Sequence, residues 1–308
     1  MSSSPDLSPR ARVLLAAGLV LTAWGLPRAP GDAAALGGTT VSLAAGLCGL
    51  VALTLGRQPL GLLWAPARAA RPAPDVARGF AVGALCAAVL VFDGNVGRLG
   101  ALWRDDRAGS VALVLGVAVW GAALAATRQR ALWQWYVAAA GIALLPEVAL
   151  VGVLQPSVSL GALVAPLLFF LVADTTVALV TEELAFRRAL LGRPESVRLG
   201  SLGLMALAFG LWHVVQPGYD GAPVENFLGT ALGGFVTGCL YALSGSLTVA
   251  AFYHGLHDAP LKALGGVPVT AGRAGLAGGI ALACTALLAL GLGWMVLRRG
   301  ERESGRLS

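Results

Sequence analysis

Long apolar stretches alternate with short polar segments along the whole chain. Most stretches approach the roughly 20 residues that a helix needs to cross the hydrocarbon core of a membrane. Backbone hydrogen bonds must be satisfied within lipid, so this pattern predicts an all-α, polytopic transmembrane helix bundle of about ten spans. The predicted spans are residues 12–26, 33–55, 77–93, 109–126, 132–153, 158–190, 199–216, 227–243, 246–262 and 275–297.

Composition agrees with this pattern. Hydrophobic residues make up 57% of the 308 residues and charged residues only 12%, which leaves too little polar surface to cover a water-soluble globule. The 42 glycines and 16 prolines have no fixed period, which excludes a collagen-like chain. The four cysteines show no metal-ligand spacing and fit buried thiols. They are Cys48, Cys86, Cys239 and Cys284.

The formal net charge of +6 indicates membrane orientation rather than nucleic-acid binding, because the basic residues lie between apolar stretches. A cytoplasmic N-terminus places 16 of the 22 Lys and Arg residues on the inner side. The positive-inside rule therefore predicts a multi-pass protein of the cell membrane with both termini in the cytoplasm. The alternative for the first stretch is a cleaved signal peptide, with Arg10 and Arg12 before it and small residues at 33–35 after it.

Ionisable side chains inside predicted spans are candidates for function, because charge at membrane depth is costly. All three histidines of the chain lie in the seventh and ninth spans, downstream of a Glu-Glu pair. This grouping argues against three unrelated core histidines. The candidates are Glu147, Asp174, Glu182, Glu183, His213, His254, His257 and Asp258.

Spacing divides these candidates into pairs. Glu183 and Arg187 are four residues apart, so an ion pair along one helix face is expected. On an α-helix, Glu182 points about 100° away from Glu183 and is not paired with Arg187. Its carboxylate is therefore available to act, for example, as a general base. His254 and Asp258 are also four apart. The spacing therefore predicts that three helices direct Glu, His and His/Asp groups towards one interior.

Three further side chains have plainer interpretations. Trp212 fits core or lipid-facing packing, and Asp174 fits a hydrogen bond within the bundle. Glu147 follows Pro146, so it either lines the same cavity or satisfies backbone groups that the proline frees.

Three motifs follow one another along the predicted spans: Glu182-Glu183-x-x-x-Arg187, Phe209-x-x-x-His213 and His254-x-x-x-Asp258. Their order and spacing resemble those of the CPBP family, which comprises CAAX prenyl endopeptidases and bacteriocin-processing or abortive-infection-like membrane proteins. The third motif ends in Asp where the best-studied members have Asn, and His257 is not explained. The resemblance implies three regions, namely N-terminal helices of unassigned role at 1–154, a protease core at 155–262, and a C-terminal helix with a basic cytoplasmic tail at 263–308.

The resemblance implies an intramembrane endopeptidase that hydrolyses a peptide or protein substrate. Glu182 and His213 would activate a water molecule for attack on the peptide carbonyl. Glu183 with Arg187 would brace the site. This division agrees with the need for a deprotonated nucleophile at the carbonyl.

The same resemblance assigns His254 with Asp258 to the oxyanion, where negative charge develops. The family is often described as metalloproteases, and Glu182, His213 and His254 could in principle hold zinc with an open position for water. No HExxH motif is present. Metal dependence stays open, and the preferred mechanism requires no cofactor.

Two other functions compete with peptidase activity. A non-catalytic immunity or secretion factor of the same fold is one, although intact Glu182, His213 and His254 argue against it. A proton-coupled transporter is the other, since transporters also bury Glu and His in relays. That function predicts paired repeats with interrupted helices, and the sequence contains no convincing repeat.

Overall fold

The computed structural model describes residues 8–25, 45–46, 134–143, 167, 170–171, 174–175, 178–216, 223–263 and 271–304. Within these ranges all regular structure is helical and no strand occurs. The elements are α1 (Pro9–Gly25), a π-helix (Leu179–Leu191), a 3-10 turn (Pro194–Ser196), α2 (Leu199–Val214), α3 (Pro223–Ser244), α4 (Leu247–Ala263) and α5 (Ala271–Ser304).

Two of the described helices are long and apolar enough to cross a membrane. They are Pro223–Ser244 and, within α5, Gly275–Arg302, while Leu199–Val214 is a shorter apolar helix. The prediction of an all-helical chain is confirmed for the described residues. The predicted spans 77–93 and 109–126 lie outside the described residues, as do Cys48, Cys86 and Glu147.

The chain divides into two compact units. The first unit comprises Met1–Leu63, Leu179–Ala250 and Leu282–Ser308. The second comprises Trp64–Ala178 and Ala251–Ala281.

In the first unit, α2 and α3 pack closely because glycines line their interface. A Cβ atom added at Gly234 would lie 2.7 Å from Cδ1 of Phe209, and one added at Gly210 would lie 2.9 Å from Cβ of Ala231. Gly238 follows Gly234 by one helical turn on the same α3 face and would place a Cβ 2.7 Å from a methyl carbon of Leu202. Small residues at this spacing let two helix backbones approach, as in membrane helix pairs generally.

The connection between the π-helix and α2 is held at several points. Gly192 has φ of 85°, a left-handed conformation that suits glycine and ends the helix. The Tyr241 hydroxyl on α3 donates a hydrogen bond to the Gly192 carbonyl at 2.8 Å. Arg299 on α5 donates to the carbonyl of Pro194 at 3.3 Å and also to that of Ala242. The turn is therefore tied to both α3 and α5.

In the described part of the second unit, α4 makes a close backbone contact at Gly255. Gly255 of α4 lies against Leu171 and Thr175, where an added Cβ would be 2.9 Å from the Thr175 backbone nitrogen and 3.0 Å from the Leu171 carbonyl oxygen. Nearby on α4, Phe252 packs edge-on against Tyr136 with ring centroids 5.4 Å apart. No larger side chain would fit at position 255 without backbone movement.

Candidate active site

The first motif lies on a π-helix, whereas its sequence was interpreted as an α-helix. Leu179–Leu191 is a π-helix with i to i+5 hydrogen bonding, a rare arrangement that is frequent at functional sites. Apolar periodicity does not distinguish the two helix types here, because the side chains of residues 181–191 are buried on every face. The α-helical angle between Glu182 and Glu183 therefore does not apply.

The predicted ion pair between Glu183 and Arg187 is present and completely buried. Arg187 Nε lies 3.2 Å from Glu183 Oε2, and both side chains are 0% exposed. Arg187 also donates through Nη2 to the Gly234 carbonyl at 3.4 Å, and its guanidinium carbon lies 4.3 Å from the centroid of the Phe209 ring. Arg187 thus connects the π-helix to both α2 and α3.

Glu182 is less independent of this pair than its spacing suggested. The Arg187 charge acts electrostatically on Glu182 as well as on Glu183. A buried guanidinium beside two carboxylates compensates more negative charge than a single ion pair would.

Glu182 and His213 are neighbours across the π-helix and α2. Glu182 Oε2 lies 3.9 Å from His213 Nε2, with side chains 12% and 11% exposed. His213 Nδ1 lies 3.0 Å from the Phe209 carbonyl oxygen. A carbonyl oxygen can only accept, so this contact places the proton on Nδ1. In the neutral ring Nε2 is then an acceptor that faces the carboxylate.

Aromatic side chains hold the His213 ring in place. Its centroid lies 4.4 Å from that of Phe209 and 4.7 Å from that of Trp212, both in edge-to-face arrangements. Phe186 of the π-helix packs edge-on against Phe209 at 5.0 Å and against Trp212 at 5.6 Å. Trp212 is 1% exposed, so of its two expected environments it occupies the core.

The third motif belongs to the second unit. His254 Nε2 lies 3.7 Å from Asp258 Oδ2, with side chains 11% and 34% exposed. The residues immediately before these two, Tyr253 and His257, stack their rings with centroids 6.2 Å apart. Asp174 belongs to the same unit and is half-buried. The convergence of all three motifs on one cavity stays a prediction.

The described part of the chain contains no complete set of zinc ligands. No group of three or more His, Cys, Asp or Glu side chains there could hold a metal ion. Glu182 and His213 provide two donors near each other, whereas structural and catalytic zinc sites take at least three protein ligands. We therefore derive no catalytic step through a metal.

Sequence reasoning missed the contacts that anchor Arg187. It named Glu183 as a partner but neither the Gly234 carbonyl nor the Phe209 ring. The available signal was Gly234-x-x-x-Gly238 in a predicted span, a spacing typical of close helix pairs. That spacing indicates a close approach but does not identify the helix that approaches.

Comparison with known proteins finds a match for one region of the chain. Residues 164–260 match the family model of the Rce1-like type II CAAX prenyl endopeptidases. No curated protein and no solved structure matches the chain. The matched segment contains all three motifs, from Glu182 to Asp258. The match is consistent with an Rce1-like type II CAAX prenyl endopeptidase domain at residues 164–260 and with the CPBP family of intramembrane proteases.

Proposed function

We propose that this protein is a membrane-embedded endopeptidase of the CAAX type, in which Glu182 and His213 activate the attacking water. The family match implies a protease, which is a hydrolase acting on a peptide or protein. The two long apolar helices fit an enzyme in a lipid bilayer. The single observation that carries the mechanism is the 3.9 Å separation of Glu182 Oε2 and His213 Nε2.

Two acceptors at this distance suit a shared water molecule. A separation of 3.9 Å is too long for a direct hydrogen bond. A water beside both atoms can donate one hydrogen to the carboxylate and one to Nε2, which leaves an oxygen lone pair for the substrate carbonyl. Attack forms the new C–O bond while one water proton passes to the Glu182 and His213 pair. That proton then goes to the amine nitrogen as the C–N bond breaks.

Glu183 and Arg187 support this pair without touching the substrate. Arg187 is held by the Glu183 carboxylate, the Gly234 carbonyl and the face of Phe209. Phe209 in turn supplies the carbonyl that orients His213. The ion pair therefore fixes the ring orientation on which water activation depends.

His254 and Asp258 are assigned to the oxyanion. Asp258 is close enough to His254 to orient its ring, and a histidine N–H is a suitable donor to a developing negative charge. This role requires His254 to reach the substrate carbonyl opposite the water. It is tested by His254→Ala, which should lower kcat more than it raises KM, because the oxyanion forms only in the transition state.

A cleavage assay with the purified full-length protein tests the proposal. The substrates are a peptide ending in Cys-a-a-X and its farnesylated form, and the variants are Glu182→Gln and His213→Gln. Each variant should lose at least about a hundredfold in kcat/KM, the contribution expected of a general base. Glu225→Gln is the matched control, because Glu225 is exposed in the first turn of α3.

Four outcomes of this assay decide between functions. Cleavage that Glu182→Gln abolishes and Glu225→Gln preserves supports the proposal. Turnover unchanged in Glu182→Gln contradicts the role of Glu182 as the general base. No cleavage by the wild-type protein favours a non-catalytic factor of the same fold. Loss of activity in chelator, restored by zinc, would replace the metal-free mechanism with a metal-dependent one.

A further inference from the structure

Three exposed arginines of the first unit lie outside the candidate active site. Arg198 precedes α2, while Arg298 and Arg302 lie four residues apart on one face of α5. We call these three residues the arginine surface. Arg298 has an exposed acidic neighbour, Glu301, at 3.4 Å.

Arg299 links the two segments that carry the arginine surface, namely the turn before α2 and the end of α5. It reaches from α5 to the carbonyl of Pro194, and Arg198 Nη1 donates to the next carbonyl, that of Glu195, at 3.0 Å. Consecutive Cα atoms are 3.8 Å apart, so the guanidinium groups of Arg198 and Arg299 lie within about 10 Å of each other. The C-terminal end of α5 and the turn before α2 therefore form one basic region.

This region begins where the apolar face of α5 ends. Leu287 and Leu290 are 69% and 72% exposed, as expected of side chains that face lipid. One turn further on, Trp294 is 58% exposed and carries Arg298 over its ring at 5.3 Å. Tryptophan beside arginine is typical of the level at which a helix leaves the hydrocarbon and meets phospholipid head groups.

We propose that the arginine surface binds the phosphate of an anionic phospholipid whose acyl chain lies along Leu287 and Leu290. Guanidinium groups recognise phosphate through paired N–H donors, and the exposed apolar face directly below supplies the contact for a lipid tail. A free anion would contact the arginine side chains but not Leu287 or Leu290. Because Arg299 ties this region to the turn that follows the π-helix, bound lipid should stabilise the folded first unit. The inference does not depend on peptidase activity.

The test measures lipid retention by the full-length protein. Nanodiscs contain either phosphatidylcholine alone or phosphatidylcholine with a minor fraction of phosphatidylglycerol. Native mass spectrometry counts retained phosphatidylglycerol, and thermal unfolding reports its stabilising effect. The double variant Arg198→Gln/Arg302→Gln should weaken phosphatidylglycerol binding about thirtyfold, since each arginine near an anionic surface contributes about a fivefold gain.

Three further variants distinguish a site from diffuse attraction. Arg10→Gln/Arg273→Gln removes the same two charges elsewhere and should leave retention unchanged. Arg198→Lys/Arg302→Lys keeps the charges but not the guanidinium fork, so binding should fall only a few-fold. Arg302→Gln alone makes the test independent of the role of Arg198 beside α2, because the Arg302 side chain makes no hydrogen bond or ion pair within the described ranges.

Specific outcomes would overturn the proposal. One is an equal loss of phosphatidylglycerol in the control and in Arg198→Gln/Arg302→Gln, which indicates diffuse surface charge. Another is stabilisation of the detergent-solubilised protein by inorganic phosphate to the same extent as by the lipid, which indicates a free-anion site. A third is preferential binding of a soluble poly-glutamate peptide, which indicates an acidic protein partner.

Discussion

At the scale of single residues, Arg187 combines three interactions that each compensate its buried charge. Its guanidinium meets the Glu183 carboxylate, the Gly234 carbonyl and the π face of Phe209. A charge with no exposure costs several kcal/mol unless it is paired and hydrogen-bonded. The partners of Arg187 therefore contribute mainly to the stability of the first unit, whereas Glu182 is closer to the proposed chemistry.

This difference predicts separate effects for the two adjacent glutamates. Glu183→Gln should lower the free energy of unfolding by about 3–5 kcal/mol, because it removes the carboxylate nearest to a buried guanidinium. Glu182→Gln should mainly reduce turnover. Thermal melts in detergent and steady-state cleavage by the same preparations measure both quantities. If Glu182→Gln were the less stable of the two, the assigned roles would be reversed.

Spacing alone predicted part of this residue-level arrangement. The Glu183 and Arg187 pair follows from a separation of four residues on one helix. The contact between His213 and the Phe209 carbonyl also lies within one helical turn, but it was not predicted. The approach of Gly234 to Arg187 could not be predicted, because it depends on how α3 packs against its neighbours and not on local sequence.

At the scale of helices, the α2 and α3 interface couples backbone packing to the candidate site. Gly234 lies against the Phe209 ring, the same ring that contacts Arg187 and His213. A methyl group on Gly234 would approach Cγ of Phe209 at 3.2 Å and its Cβ at 3.3 Å, and the Cβ atom cannot move without the backbone. Packing at this glycine therefore controls the position of His213.

We expect Gly234→Ala to lower both stability and turnover. The added methyl must displace Phe209, and overpacking of this kind typically costs about 1–3 kcal/mol. Gly233→Ala is the matched control, since no described atom lies within 4 Å of a Cβ there and alanine favours a helix by up to about 1 kcal/mol. The unfolding midpoint and kcat should both fall in Gly234→Ala, whereas neither should fall in Gly233→Ala. Equal unfolding midpoints and equal kcat values in the two variants would show that the interface between α2 and α3 has room for a methyl group at Gly234.

A second glycine variant concerns the third motif. Gly255→Ala should destabilise the second unit, because the new methyl would meet the Thr175 backbone nitrogen at 2.9 Å and the Leu171 carbonyl at 3.0 Å. Limited proteolysis and thermal melts measure the effect. Adding Thr175→Ala should not restore stability, since backbone atoms remain in the way. Full rescue by Thr175→Ala would mean that only the threonine side chain is in contact. Gly278→Ala in α5 is the control, as it meets no described atom within 4 Å.

Apolar patterning predicted the positions of the helices more accurately than it predicted the type of helix. The predicted spans 199–216 and 246–262 correspond to Leu199–Val214 and Leu247–Ala263. Apolar length and the flanking polar residues determine such boundaries. The π-helix at Leu179–Leu191 was not predicted, because i to i+5 bonding depends on packing around a segment whose side chains are buried on all sides.

At the scale of the whole molecule, basic residues distant in sequence come together in the first unit. The turn at Pro194 and the end of α5 are joined by the hydrogen bond from Arg299. Both segments belong to the basic regions that charge counting assigned to the cytoplasm. Their contact supports one common side for the loop after the π-helix and for the C-terminal tail.

The final prediction is that this side is the cytoplasm and that the N-terminus shares it. Reporter fusions after Arg130 and after Arg299 should both give cytoplasmic signals, because 16 of the 22 basic residues then lie on the inner side. A fusion inserted in residues 193–198 should match the one after Arg299, since Arg299 contacts Pro194. A fusion after Arg273, at the other end of α5, is the control and should report the opposite side. An external signal after Arg299 would invert the topology and move the proposed lipid site to the outer leaflet. Opposite signals from 193–198 and Arg299 would contradict the contact itself.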